Sequence, residues 1–121
     1  MTTAEKTIQA PDGTAAPAPA ARPALTSLSD EEALFAESVR EFAEGRIGPR
    51  VREMDERGEL DCDLLRELFG MGLMGIELPE PSGGAGANFM MAILAVEELS
   101  RVDPSVAVVV DVQNTLVNNA L

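Results

Sequence analysis

Carboxylates are the most abundant chemical groups in this chain, and their spacing decides what they can do. Of the 21 Asp and Glu residues, Glu97 and Glu98 are immediate neighbours, which on a helix sends their side chains about 100° apart. They cannot act as a pair on one substrate atom. Either one of them is buried against a cation, with Arg101 at i+3 or i+4 as the candidate, or both face solvent. Asp111 stands inside an otherwise apolar run. A buried carboxylate there needs a partner or a shifted pKa, whereas on the polar edge of a helix it needs neither. Asp61-Cys62-Asp63 offers three potential ligands, yet adjacent residues at a helix start do not converge on one ion, so the trio reads as a cap. Gly83-Gly84-Ala85-Gly86 invites comparison with phosphate cradles. No Lys-Ser/Thr follows it, and against G-x-G-x-x-G the third glycine position holds Phe89. The run therefore reads as a tight connection needing positive φ. Ser82 has no histidine to activate it, because the chain contains none. No self-contained active site can be assembled from these residues.

Composition narrows the function classes. The 121 residues fit one small domain. Nine Lys and Arg against 21 acids give a net charge of −12, which argues against nucleic acid as a partner, since each phosphate contact needs a cation. The same charge argues against an anionic membrane surface. A lone Cys62 excludes an internal disulfide framework and a multi-cysteine zinc site. The longest uncharged run, Pro81 to Val96, has 16 residues and opens on a glycine-rich turn, short of the roughly 20 apolar residues a membrane span requires. The N-terminus lacks the apolar stretch of a secretory signal, and Arg22 is its only arginine. A cytoplasmic protein is the expectation.

The elements that must carry these groups follow in order. Residues 1–27, with eight Ala, five Thr and four Pro, read as a disordered leader. From Leu28 the chain turns helical. Ser29-Asp30-Glu31-Glu32 is a capping box, and Phe35, Val39 and Phe42 form one apolar stripe. Gly45, Gly48 and Pro49 predict a break or kink, with Pro49 opening a short helix that Gly58 closes. A third helix from about Asp61 places Leu64, Leu65, Leu68 and Phe69 on one side and ends at Gly70 and Gly72. Asn88 caps a helix to about Arg101 whose Phe89–Val96 stretch is apolar all round, predicting full burial. Met71, Met74, Met90 and Met91 read as adaptable core packing. Propensity alone makes Val106–Val110 a strand; the Asp103-Pro104 start signal and the segment's length favour a helix. The sum is an all-α domain, residues 28–121, of about five helices around one glycine-rich loop.

Taken together, residues 28–121 resemble the N-terminal helical domain of the acyl-CoA dehydrogenases. The pieces that carry the resemblance are Leu28-Ser29-Asp30-Glu31-Glu32, Ile47-Gly48-Pro49-Arg50, Leu68 through Met74-Gly75-Ile76, Gly83-Gly84-Ala85-Gly86 and Val96-Glu97-Glu98-Leu99-Ser100-Arg101-Val102-Asp103. Val106-Ala107-Val108 leading to Gln113-Asn114-Thr115-Leu116 looks most like the short/branched-chain members. The resemblance implies a helix after Asp103-Pro104 that lines the acyl end of a substrate pocket. Its candidate lining residues are Val108, Val109 and Val112, with Ser82, Gly83 and Gly84 near the substrate; ordinary helix packing is the other use for the valines. The loop departs from the family in one respect. Members have Tyr before the glycine pair, preceded by Glu, where this chain has Ser82 and Pro81.

The resemblance also implies FAD, an acyl-CoA substrate, electron-transfer flavoprotein as partner and a homo-oligomer when full-length. The family's central β-domain and C-terminal helical domain have no counterpart in these residues. No catalytic base and no flavin ligand carries over, so FAD is expected not to bind this chain alone. The implied roles are the wall of an acyl pocket, a non-catalytic helical interaction module, or an inactive truncated product.

Overall fold

A computed structural model describes residues 27–121. The disordered leader expected at residues 1–27 thus lies, Ser27 aside, outside the described residues. Helix α1, Asp30–Phe42, begins at the capping box: Ser29 Oγ accepts from the Glu32 N–H at 3.2 Å, and the Glu32 carboxylate accepts from the Ser29 N–H at 3.2 Å. Three acids in its first turn complement the helix dipole.

The predicted break at Gly45, Gly48 and Pro49 takes another form. The helical path continues through a π turn, Ala43–Ile47, and a 3-10 turn, Gly48–Arg50, into α2, Val51–Arg57. Pro49 sits at the start of the 3-10 turn, where its missing N–H leaves no hydrogen bond unmade. Gly58, at φ 65°, closes α2 in the left-handed region. Helix α3, Cys62–Gly70, starts on Asp61, whose carboxylate accepts from the Asp63 and Leu64 N–H groups, so the Asp-Cys-Asp trio is a cap.

After an irregular stretch containing a 3-10 turn at Glu80–Ser82 come the two apolar helices. Helix α4, Phe89–Val102, is capped by Asn88, which accepts from the Met91 N–H. Helix α5 runs Pro104–Val112, with Asp103 accepting from the Ser105 N–H. The valine run is thus helical, not a strand: its hydrogen bonds begin at a fixed cap. A second π turn, Gln113–Val117, leads into α6, Asn118–Ala120. Five helices have seven residues or more, and there is no strand among the described residues.

Helix α4 packs on α1 along one side and on α5 along another. Between them lie Val39, Ala43 and Ile47 from the first helical run, Leu64 and Leu68 from α3, Leu73 and Ile76 from the irregular stretch, Ala95 and Leu99 from α4, and Val106, Ala107 and Val110 from α5. Three expectations fail at the surface, the first being Met71, read as core packing and 44% exposed. Phe69 is 58% exposed, because α3 meets the core through Leu64 and Leu68, with Leu65 partly buried beside them, and Phe69 lies off that stripe. Helix α4 is not buried all round: Phe89 and Ile93, one turn apart, face outward at 60% and 44% exposure.

Candidate functional site

Glu98 is the buried member of the adjacent acids, and its partner is chiefly Arg40 on α1. The guanidinium donates from Nε and Nη2 to the two carboxylate oxygens, both at 2.9 Å. Arg101, the cation foreseen from sequence, stands farther away at 3.7 Å. Arg40 holds the Glu98 carboxyl below its ordinary range, against burial that pushes it up. Since 58 residues separate the two in sequence, no local spacing rule could have paired them. This pair clamps α1 to α4 and commits the buried carboxylate to a structural ion pair.

Glu67 is similarly committed, accepting from Arg46 at 2.7 and 2.8 Å and from Arg50 at 2.9 Å. These bonds lower its pKa from 4.5 to about 2. A carboxylate whose folded pKa lies below its unfolded one favours the folded state at pH above about 4.5, and this contribution is lost as pH falls toward 2. Thermal melts between pH 5 and 2 are therefore expected to show a smaller acid-induced loss in Glu67→Gln than in the parent chain. Equal losses would remove Glu67 from the account.

The glycine-rich loop is built by backbone pairing. The Ala85, Gly86 and Ala87 N–H groups donate to the carbonyls of Gly75, Leu78 and Ile76 at 2.9, 2.9 and 2.8 Å. Gly83 takes φ +83° and Gly86 φ +63°, the conformations only glycine adopts cheaply. Gly84 is required for space: a Cβ there would stand 2.1 Å from the Leu78 carbonyl oxygen.

The candidate lining residues do not converge on one hollow. Val109 turns inward beside α2, into a cavity of about 320 Å³ bordered by Val51, Met54, Leu60 and Val106. Val108 and Val112 face outward, 59% and 38% exposed. Ser82 and Gly83 are exposed in the loop. A different hollow is the most apolar feature of this half of the domain. It is a groove of about 410 Å³ between α4 and α5, lined by Phe89, Ala92, Ile93, Val96, Glu97, Asp111 and Thr115 with Asn114 at its base. Val108 and Val112 lie on the side of α5 that carries Asp111, by i+3 and i+4 spacing from Val108, but neither is among the residues that line the groove. Asp111, half-buried, lies at the groove edge and not in the core.

Asn114 was not singled out from sequence. It is 7% exposed and all its side-chain hydrogens are used: Nδ2 donates to the Leu73 and Val110 carbonyls, and Oδ1 accepts from the Ile76 N–H, each at 2.8 Å. The available signal was a pair of Asn residues, 114 and 118, four apart in an apolar helix. Asn118 likewise donates to the Met74 carbonyl at 3.0 Å.

The donor chemistry does not fit a flavin dinucleotide. A pyrophosphate needs free cations or a cluster of free N–H groups, yet all seven arginines among the described residues are engaged with carboxylates. Among the described residues, only the Arg50 Nη1 is a buried side-chain polar atom without a partner, and the rest of that guanidinium is held by Asp61 and Glu67. There is no cluster of metal-ligating side chains among the described residues. No described helix is long and apolar enough to cross a membrane.

These features define an all-α domain that offers an apolar groove and a backbone-built loop. A family profile described as "Acyl-CoA dehydrogenase, N-terminal domain" matches residues 29–121, and the chain belongs to that family. It is 53% identical over 97 residues, 80% of its length, to a probable short/branched chain specific acyl-CoA dehydrogenase of Dictyostelium discoideum, covering 24% of that protein. It is 42% identical, again over 80% of its length, to the short/branched chain specific acyl-CoA dehydrogenase, mitochondrial, of Bos taurus, covering 22% of it. Among solved structures, butyryl-CoA dehydrogenase from Megasphaera elsdenii superposes with a TM-score of 0.63 at 34% identity, over 69% of this chain and 23% of that one. The chain thus spans about a quarter of the length of the curated relatives it matches.

Proposed function

We propose that this chain serves a flavin-dependent acyl-CoA dehydrogenase specific for short or branched acyl groups, and that its part in the reaction is to wall the acyl end of the substrate pocket. The observation that carries this reading is the apolar groove between α4 and α5. Its size falls in the range of small-ligand sites, roughly 300–1,000 Å³, and Phe89, Ala92, Ile93 and Val96 give it an apolar wall beside the carboxylates of Glu97 and Asp111. An alkyl tail gains most from such a surface, since each buried methylene contributes about 0.8 kcal/mol. The Thr115 hydroxyl, which donates to the Asp111 carbonyl, and the saturated amide of Asn114 present no unmet hydrogen bond to a hydrocarbon.

Val108, Val109, Val112, Ser82, Gly83 and Gly84 are part of this proposal as acyl-side residues: Val108 and Val112 on the outward side of α5, Val109 packing its inner side, and the loop residues nearer the thioester. FAD, which accepts a hydride in such enzymes, would be held elsewhere than on the described residues, as would the group that abstracts the α proton. The anionic coenzyme A head would lie away from this acidic surface. Electron-transfer flavoprotein as acceptor and a homo-oligomeric enzyme follow from the same reading. We place the protein in the cytoplasm, although the cattle relative is named as mitochondrial.

A domain exchange tests this. Residues 28–121 are joined to the remaining domains of Megasphaera elsdenii butyryl-CoA dehydrogenase, with flavin absorbance as the control for folding. Oxidation of 2-methylbutyryl-CoA and butyryl-CoA is then followed with an artificial electron acceptor. The exchange is expected to raise the branched-to-linear ratio of kcat/KM at least several-fold. A flavin-loaded chimera with the parent's ratio would sink the assignment of the acyl wall to this domain.

A further inference from the structure

The groove and the glycine-rich loop have no side chain in common, yet one residue ties them together. Asn114 stands at the base of the groove, in the π turn that follows α5. Its amide grips the backbone of residues 73 and 76 from one side, donating to the Leu73 carbonyl and accepting from the Ile76 N–H. The same stretch is gripped from the other side by the loop: the Ile76 carbonyl accepts from Ala87 and the Gly75 carbonyl from Ala85. Ile76 therefore offers its N–H to Asn114 and its C=O to the loop. Its side chain is 1% exposed, which leaves the residue little freedom to drift. Asn118 repeats the grip one turn later at Met74.

We infer that Asn114 is a positioning residue, which through the backbone of residues 73–76 holds the glycine-rich loop in register with the helix bordering the acyl groove. Three saturated bonds at a buried site make this link directional in a way apolar packing is not: slippage by one residue would leave buried donors and acceptors unmet. The bearing of this on acyl-CoA turnover rests on the proposed function; the mechanical link does not.

The link is read by amide hydrogen exchange in the 121-residue chain. In the parent, the N–H groups of Ile76, Ala85, Gly86 and Ala87 are expected to open as one unit, with similar protection. Protection at Ile76 without protection at residues 85–87 would overturn the proposal, and this measurement needs no variant to fold. In Asn114→Ala, exchange at residues 85–87 should rise by about 30-fold, the loss of two to three buried hydrogen bonds, while the Val39 and Ala43 amides of the first helical run keep the parent rates. A uniform rise across the domain, or none, would mark Asn114 as ordinary core and overturn the inference. In the flavin-loaded enzyme used to test the proposed function, Asn114→Ala should raise KM for 2-methylbutyryl-CoA several-fold with kcat within about twofold. Selective exchange with KM unchanged would remove the positioning role. A parent enzyme that oxidises no acyl-CoA would sink the proposed function instead, leaving the exchange result to decide the link.

Discussion

Leu99→Ala is expected to remove about 3 kcal/mol of folding stability, within the 2–5 kcal/mol span of buried leucine truncations. Leu99 is wholly buried on α4, the helix that meets both α1 and α5, so three packed elements border the space its side chain fills. They cannot all close on the void at once. Helix α1 is held to α4 by the Arg40–Glu98 bonds one residue away, and α5 is held by the Asp103 cap just beyond. A small domain commands only about 5–15 kcal/mol in total, and each kcal/mol moves the melting temperature by roughly 4–8 °C at this size. The melt should therefore fall by at least about 12 °C. Ile93→Ala, on the exposed side of the same helix, should move it by far less. Similar drops in the two variants would mean that the core does not run where the structure places it.

Gly84→Ala should be the most damaging change in the loop. The new methyl would meet the Leu78 carbonyl oxygen at 2.1 Å, its Cβ at 2.3 Å and its carbonyl carbon at 2.4 Å. Two of those atoms are backbone, so no rotamer change relieves the contact. The loop must back away, and the bonds from Gly84 to Pro79 and from Gly86 to Leu78 are the first to go. Overpacking costs typically 1–3 kcal/mol, and each lost hydrogen bond adds about 0.5–1.5 kcal/mol, for a sum of about 3 kcal/mol. Gly83→Ala makes an informative contrast: nothing lies within 4 Å of its Cβ, but the φ of +83° is strained for alanine, costing about 1–2 kcal/mol. A calorimetric ranking with Gly83→Ala the worse of the two would show that conformation, and not space, decides this loop.

These cases show what the sequence could and could not disclose. Caps are local, so Ser29, Asp61, Asn88 and Asp103 announced their helices correctly, and the last of them resolved the valine run against its own strand propensity. Glycines were visible as turns, but the reason for Gly84 was not, because the atom it avoids belongs to a residue that only the fold brings opposite. The same holds for Glu98, whose burial was a stated alternative and whose main partner was not. The predicted full burial of α4 failed because composition cannot say whether an apolar side of a helix is covered by its neighbours or turned outward. Asn114 was overlooked since an amide in an apolar helix has no motif; its meaning lies in the carbonyls and the N–H it reaches.

The π turn at Gln113–Val117 has a consequence for how this helix tolerates change in length. Asn118 donates its N–H to the Gln113 carbonyl, five residues back, so the chain carries one residue more than an α-helix needs to make that turn. Val110 and Asn114 face the interior before and within it, and Asn118 reaches Met74 after it. Winding the turn as a regular α-helix while keeping all its residues would rotate everything that follows by about 100°. Asn118 would then turn away from Met74, whereas deleting one residue together with the bulge would leave the far end facing as it does. The extra residue works as a phase correction: it lets one continuous helix serve two faces that a regular helix could not bring into line.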